Sequence, residues 1–177
     1  ELGTLGGYTS NAVDINAAGE IVGYAALPDG ALHAFLYNGQ QMLDLGTLSD
    51  GKVQGNSFAS AINNFGQVVG TVDIPYTPSK AFIYEPQGSM RELGGAVRQL
   101  TGWDYLAAAW DINDMGEIVG LGYKGGVPHT FLLQPLMSFY SRKHEFEADR
   151  YAAKNASADD LVRALVKLYN DNASTLT

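Results

Sequence analysis

His144 and Glu147 have the side-chain types and the spacing of metal ligands. Three residues apart in a helix, they would share one face, and zinc accepts both imidazole nitrogen and carboxylate oxygen. Two ligands do not complete a zinc site, however, and such pairs are far commoner as incidental neighbours on helix surfaces. The other histidines are His33 and His129. None of the three begins an H-E-x-x-H motif, which would supply two histidine ligands and a general base.

Three aromatic residues, Trp103, Tyr105 and Trp110, form a second candidate site. They lie close together in the longest segment between repeated motifs, and aromatic faces can stack on carbohydrate. The alternative is that they are buried aromatics of a strand. Just after them, Asp111–Gly116 faintly resembles a calcium loop, but a methionine stands at a ligand position and the closing Glu is at the wrong distance, so the run predicts a hairpin turn.

Composition excludes several other classes of function. There is no cysteine, so disulfides and thiol chemistry are excluded, and no Ser/His/Asp or phosphate-loop arrangement is present. The net charge of −8 argues against nucleic acid and anionic lipid as partners, because both need clustered Lys and Arg. No run approaches the roughly 18 apolar residues of a membrane helix. We expect no cofactor for the chain alone.

The sequence changes character near Pro135. All 21 glycines lie at or before Gly126, whereas residues 136–177 contain none and are charged and alanine-rich. In those residues the basic and acidic side chains balance, so the net negative charge belongs to the first part of the chain. We therefore expect a β repeat domain over residues 1–134 and a helical segment over residues 135–177.

Three motifs recur in the same order within the first 134 residues. The first motif occurs at Ala12–Gly23 (AVDINAAGEIVG), Ala59–Gly70 (ASAINNFGQVVG) and Ala109–Gly120 (AWDINDMGEIVG). The second occurs at His33–Tyr37, Lys80–Tyr84 and His129–Leu133, and the third at Met42–Gly46, Met90–Gly94 and, truncated, Glu1–Gly3. Copies of the first motif lie 47 and 50 residues apart, a period that indicates repeated supersecondary units.

The motif pattern of each unit predicts four short strands. An Asn-x-x-Gly turn joins the first two strands, and its glycine, which is Gly19, Gly66 or Gly116, is expected at positive φ. The units cover about residues 11–50, 58–98 and 108–134, and residues 1–5 would supply the last strand of the third. The predicted fold is mostly β: three propeller-blade-like units that close on the N-terminal strand, plus a C-terminal helical hairpin. Propellers typically have four to eight blades, so closure between two chains, a homo-oligomer, is the alternative.

The three ordered motifs resemble the HAF repeats of bacterial extracellular proteins over about 130 residues. This sequence departs from the pattern at Lys80, which replaces the first His, and at Thr130, which replaces the Ala. The resemblance implies a secreted or cell-surface bacterial protein, and the family carries no established activity.

Residues 139–177 resemble the C-terminal part of the bacterial CAAX prenyl protease family of zinc metallopeptidases, with the signature Ser141-Arg142-x-x-Glu145-Phe146-x-Ala148-Asp149. The resemblance implies that Glu145 is the third zinc ligand and that Asp149, one helical turn away, supports it. The alternative for Glu145 is a solvated helix residue. The segment predicts a first helix from Leu136 to about Lys154 and a second helix capped by Ser157.

Two functions follow from these patterns. The first is a non-catalytic extracellular module that binds or scaffolds a ligand, either carbohydrate or protein. The alternative is a fragment of a membrane-associated zinc endopeptidase of the CAAX prenyl protease type, to which the chain contributes Glu145. Because H-E-x-x-H is absent, we expect no peptidase activity from the chain alone, and zinc only in the alternative.

Overall fold

The computed structural model describes residues 1–48, 55–86, 88–96 and 102–133 of the chain. The chain divides into two units, Glu1–Gln134 and Pro135–Thr177. The described residues all belong to the first unit. The predicted helical hairpin, with His144, Glu145, Glu147 and Asp149, lies outside them.

Three antiparallel sheets follow one another along the described chain, each with its strands in sequence order. Sheet 1 comprises β1 (Ser10–Ile15), β2 (Ile21–Ala26), β3 (Leu32–Tyr37) and β4 (Met42–Asp44). Sheet 2 comprises β5 (Asn56–Ile62), β6 (Val68–Asp73), β7 (Lys80–Tyr84) and β8 (Arg91–Glu92), followed by a short helix, α1 (Leu93–Ala96). Sheet 3 comprises β9 (Tyr105–Ile112), β10 (Ile118–Lys124) and β11 (Val127–Leu133). In this part of the chain, no helix is long and apolar enough to cross a membrane.

The first hairpin of each sheet has the predicted Asn-x-x-Gly turn. Gly19, Gly66 and Gly116 have φ of 81°, 72° and 74°, which a side chain would strain. In sheet 2, the Asn63 amide donates to the Gln67 carbonyl oxygen at 3.1 Å, and the Gly66 amide donates to the Asn63 carbonyl oxygen at 3.0 Å. The prediction that residues 111–116 form a hairpin turn is also confirmed, because the Gly116 amide closes the same turn on Asn113.

A glycine in the second strand of each sheet lets neighbouring backbone come close. A Cβ on Gly70 would lie 2.0 Å from the Phe58 carbonyl oxygen and 2.7 Å from the Phe82 ring. The equivalent Gly120 would meet the Ala108 carbonyl oxygen at 2.1 Å and the Phe131 ring at 2.5 Å. The small residue is therefore needed so that the aromatic ring of the third strand can lie against the second strand.

The core lies between successive sheets. We call the face that a sheet turns toward the next sheet its forward face, and the opposite face its backward face. The first apolar cluster joins the forward face of sheet 1 to the backward face of sheet 2, and includes Val22, Leu36, Ile62 and Phe82. The second joins sheets 2 and 3 in the same way, and includes Val69, Ile83, Ile112 and Phe131. Sheet 2 is thus buried on both faces.

The predicted closure on the N-terminal strand is not shown. Residues 1–5 form no strand, and within the part of the chain that the structure describes sheet 3 has three strands, where four were expected. The N-terminal segment instead lies beside sheet 1, where the Gly7 amide donates to the Ala26 carbonyl oxygen at 2.9 Å and the Ala26 amide donates to the Thr9 carbonyl oxygen at 2.8 Å. These hydrogen bonds hold residues 7–9 at sheet 1, and Ser10 Oγ of β1 donates to the Gly3 carbonyl oxygen at 2.8 Å, so the truncated motif also contacts sheet 1.

Candidate functional site

The most regular polar arrangement of the described residues is a row of three asparagines, Asn16, Asn63 and Asn113, one from the first hairpin of each sheet. We call it the asparagine ladder. Asn16 Nδ2 donates to the Asn63 carbonyl oxygen at 3.1 Å, and Asn63 Nδ2 donates to the Asn113 carbonyl oxygen at 3.1 Å. Asn16 and Asn63 are 8% and 3% exposed. Because buried polar groups need partners, the ladder fixes each hairpin against the next.

Each asparagine of the ladder also closes its own turn. Asn63 Oδ1 accepts the amides of Phe65 and Gln67, both at 3.0 Å. Asn63 Nδ2 donates in addition to Gln67 Oε1 at 2.7 Å, and Asn16 and Asn113 make the same contact to the glutamates at the equivalent position. An asparagine is required here because its side chain must both donate and accept, which aspartate cannot do when ionised.

A second polar row runs beside the ladder. The Ala17 amide donates to Asn64 Oδ1 at 2.8 Å, and Asn64 in turn donates its own amide and Nδ2 to the Asp114 carboxylate at 2.9 and 2.7 Å. Asp14 Oδ2 accepts the Ile62 amide at 2.9 Å. These groups are amides and carboxylates that bind one another, and they hold the sheets in register without forming a nucleophile–base pair.

A contact between two polar side chains joins β3 to β4 in sheet 1, and an equivalent contact joins β7 to β8 in sheet 2. His33 Nδ1 lies 2.9 Å from Asp44 Oδ1, and Lys80 Nζ donates to Glu92 Oε2 at 2.8 Å. In sheet 2, a lysine and a glutamate thus replace the histidine and the aspartate of sheet 1, and the contact between the two side chains is kept. His129 holds the same position in sheet 3, where it is exposed and has no ion pair within the described residues. The Lys80 departure from the motif is explained by this paired change.

The three aromatic candidates have separate surroundings. Trp103 packs edge to face on Phe131, with ring centroids 6.1 Å apart, and Lys124 Nζ lies 4.3 Å from its ring centroid. Tyr105 stacks on Tyr123 at 4.9 Å. Trp110 is 49% exposed. Trp103, which lies just before β9 and is partly buried, packs against the second apolar cluster, and a carbohydrate-binding role for the three residues stays a prediction.

The metal-site residues expected from sequence, Glu145 and Asp149, lie outside the described part of the chain. Within residues 1–48, 55–86, 88–96 and 102–133, no group of three or more His, Cys, Asp or Glu side chains could hold a metal ion. The described residues therefore do not fit a zinc ion.

The asparagine ladder was not predicted from sequence. The three asparagines were expected only to form turns, a role that glycine or aspartate can also fill. The signal was present, since Asn16, Asn63 and Asn113 are the same residue in all three copies while the two residues after each of them vary.

Comparison with known families connects the C-terminal residues to peptidases. A model of Peptidase family M48 matches residues 89–176, just under half of the chain. No curated protein and no solved structure matches the chain. The HAF assignment has no support from these comparisons and stays a prediction.

The described part of the family match includes sheet 3, whose motifs also occur in sheets 1 and 2. The part of the match that is not repeated elsewhere in the chain is therefore the segment after sheet 3, with Glu145 and Asp149. This agrees with the resemblance of that segment to the CAAX prenyl proteases. Residues 89–176 are thus similar to a family of zinc metallopeptidases.

Proposed function

We propose that this chain forms part of a zinc metallopeptidase of the M48 kind and supplies its third zinc ligand, Glu145. The observation that carries the proposal is the family match over residues 89–176, which includes the signature from Ser141 to Asp149. The match favours this function over the non-catalytic extracellular module, which no comparison supports.

Glu145 and Asp149 have different roles in this proposal. A carboxylate held on a helix is a suitable zinc ligand, and a second carboxylate one turn away can orient it through a hydrogen-bonded shell. Glu147 belongs to the same short run but has no counterpart in the signature. It is therefore a matched control, a glutamate two residues from Glu145 that the signature does not assign to the metal.

The remaining ligands must come from another polypeptide segment. A catalytic zinc site of this type needs three protein ligands, and this sequence lacks the H-E-x-x-H motif that supplies two histidines and the general base. Among the described residues of the β unit, no group of three or more His, Cys, Asp or Glu side chains could hold a metal ion, which favours a source outside it. Reading the parent gene for H-E-x-x-H identifies the segment to test.

The experiment joins this chain with that H-E-x-x-H polypeptide, by coexpression or as one continuous chain, and measures hydrolysis of an unstructured protein substrate. We expect Glu145→Ala to abolish hydrolysis, because the zinc ion loses one of its three protein ligands, and Glu147→Ala to leave it within about twofold. Asp149→Asn should reduce hydrolysis by about 10–100-fold, as for the loss of a supporting group. Equal activity of the Glu145→Ala variant and the parent would refute the proposal.

A further inference from the structure

The two interfaces between sheets are built from the same positions of the repeat. The forward-face residues of sheet 1, Val22, Ala34, Leu36 and Leu45, correspond to Val69, Ala81, Ile83 and Leu93 of sheet 2. The backward-face residues of sheet 2, Ala59, Ile62, Val68 and Phe82, correspond to Ala109, Ile112, Ile118 and Phe131 of sheet 3. A forward face is thus complementary to the backward face of another unit, and not to a second forward face.

The forward face of sheet 3 is exposed. Val119 and Leu132 are 40% and 58% exposed, whereas the equivalent Val69 and Ile83 of sheet 2 are 0% and 7% exposed. Strand β11 pairs with β10 without a bulge, so alternation places Thr130 on the same face as Leu132. The forward face of sheet 3 therefore has apolar residues where the forward face of sheet 2 has them, but in sheet 3 these residues are exposed.

The backward face of sheet 1 is the opposite half of the same interface. Ile15 is 61% exposed, whereas the equivalent Ile62 and Ile112 are 6% and 5% exposed. Phe35, further along this face, is fully buried, so the exposed part lies toward the Ile15 end. Apolar side chains at these positions of sheets 2 and 3 are covered by the preceding sheet, and the same covering would suit Ile15.

The asparagine ladder is incomplete at the same two faces. Asn113 Nδ2 donates to Glu117 but, within the described residues, to no carbonyl group of a further hairpin. At the other end, the Asn16 carbonyl oxygen accepts the Gly19 amide at 3.0 Å, and no asparagine side chain of the described residues donates to it. One face therefore presents a donor and the other an acceptor, at the position where the ladder joins neighbouring sheets.

We propose that two copies of this chain associate head to tail, with the forward face of sheet 3 of each copy on the backward face of sheet 1 of the other. A second copy would cover both exposed faces, because each contact between copies pairs a forward face with a backward face, as sheets 1 and 2 and sheets 2 and 3 already do within one chain. The two contacts close a ring of six sheets, within the usual range of four to eight for propellers. Asn113 of each copy then donates to the Asn16 carbonyl oxygen of the other, which continues the ladder around the ring.

The molar mass of the full chain in solution tests this association. We expect light scattering to give twice the 18.9 kDa of one chain, with no larger species as concentration rises, because a closed ring has no free face. Leu132→Lys places a charge in the proposed contact and should give a monomer. Val127→Lys is the matched control: it lies on the same strand, is similarly exposed at 53%, and by alternation faces the other side, so the dimer should persist.

Cross-linking tests the head-to-tail arrangement. Ala17, Asn64 and Asp114 hold equivalent positions in sheets 1, 2 and 3, and Asn64 contacts Asp114 at 2.7 Å. If sheet 3 of one copy packs on sheet 1 of the other in the same way, Asp114 lies near Ala17 of the other copy. The chain has no cysteine, which makes single-cysteine variants specific. Ala17→Cys and Asp114→Cys, refolded together, should form a covalent dimer with a short bifunctional thiol reagent, and either variant alone should not.

A parent chain that is monomeric at every concentration would overturn the proposal and leave the two faces to another occupant, such as residues 135–177. Open-ended oligomers would overturn the closed ring. A dimer that Leu132→Lys does not dissociate, or that cross-links from Ala17→Cys alone, would show a different interface. None of these outcomes depends on zinc or on Glu145, so they are independent of the proposed peptidase function.

Discussion

Asn63 Nδ2 lies 3.1 Å from the Asn113 carbonyl oxygen, although the two residues are 50 positions apart in sequence. The same atom lies 2.7 Å from Gln67 Oε1 within its own turn. One buried amide group therefore both closes a hairpin and joins two sheets. Since the hairpin of sheet 1 donates to sheet 2 in the same way, a single side-chain type sets the stacking of all three sheets.

Replacing Asn63 with aspartate should strongly destabilise the β unit. The new carboxylate would face the Asn113 carbonyl oxygen and Gln67 Oε1 with no hydrogen to donate, in a position that is 3% exposed. We expect a loss of at least about 1–3 kcal/mol in the free energy of unfolding, measured by urea denaturation.

The control for that change is Asn38→Asp. Asn38 Oδ1 accepts the amides of Gln40 and Gln41, both at 3.0 Å, in an exposed turn, and a carboxylate can accept them equally well. We expect a change within about 0.5 kcal/mol. If the two variants unfolded at the same urea concentration, the ladder would have no part in stability.

Gly70→Ala should also destabilise the β unit. The added Cβ would meet the Phe58 carbonyl oxygen at 2.0 Å and the Phe82 ring at 2.7 Å, and the first of these is backbone that cannot rotate away. We expect a loss of about 1–3 kcal/mol from overpacking, read from the shift of the thermal midpoint. Gly95→Ala is the control, because a Cβ there meets nothing within 4 Å and φ is not positive. A lower midpoint for Gly95→Ala than for Gly70→Ala would contradict this account of the strand glycines.

The Lys80–Glu92 pair should contribute little. Both side chains are about one-third exposed, at 36% and 37%, so water and salt screen the charges. A double-mutant cycle with Lys80→Met and Glu92→Gln should give a coupling energy below about 1 kcal/mol that decreases further in high salt. A coupling energy well above that value would mean that this pair, and by analogy His33–Asp44, holds the last strand in place.

Local features of the fold were predictable from sequence, and the contacts between units were not. The glycines at positions 19, 66 and 116 have the expected positive φ because the turn depends on a few adjacent residues. The stacking order depends on hydrogen bonds between residues 47 and 50 apart, and a repeated motif does not reveal which faces of its copies meet. The truncated Glu1–Gly3 motif suggested closure on sheet 3, whereas backbone hydrogen bonds hold the neighbouring segment at sheet 1.

For the candidate sites too, features set by adjacent residues were predictable from sequence, and contacts between distant residues were not. The signature around Glu145 could be read from adjacent residues, and the family match agrees with it. The asparagine ladder was not predicted, because a single asparagine that only turns the chain and one that also donates to a neighbouring sheet look identical in sequence, and only their recurrence in all three copies distinguishes them. Likewise, the different ring partners of Trp103 and Tyr105 follow from the strand order of sheet 3, in which β10 lies between β9 and β11.

Zinc affinity tests the central claim most directly. For the chain alone we expect a dissociation constant weaker than about 1 μM, measured by competition with a weak chelator, because a single carboxylate cannot complete a zinc site. Together with the H-E-x-x-H polypeptide, the chain should bind one zinc ion tightly. Glu145→Ala should weaken that binding at least about tenfold, and Glu147→Ala should not change it. Tight zinc binding by the chain alone, or binding by the assembled site that Glu145→Ala leaves unchanged, would contradict the assignment of Glu145 as the third ligand.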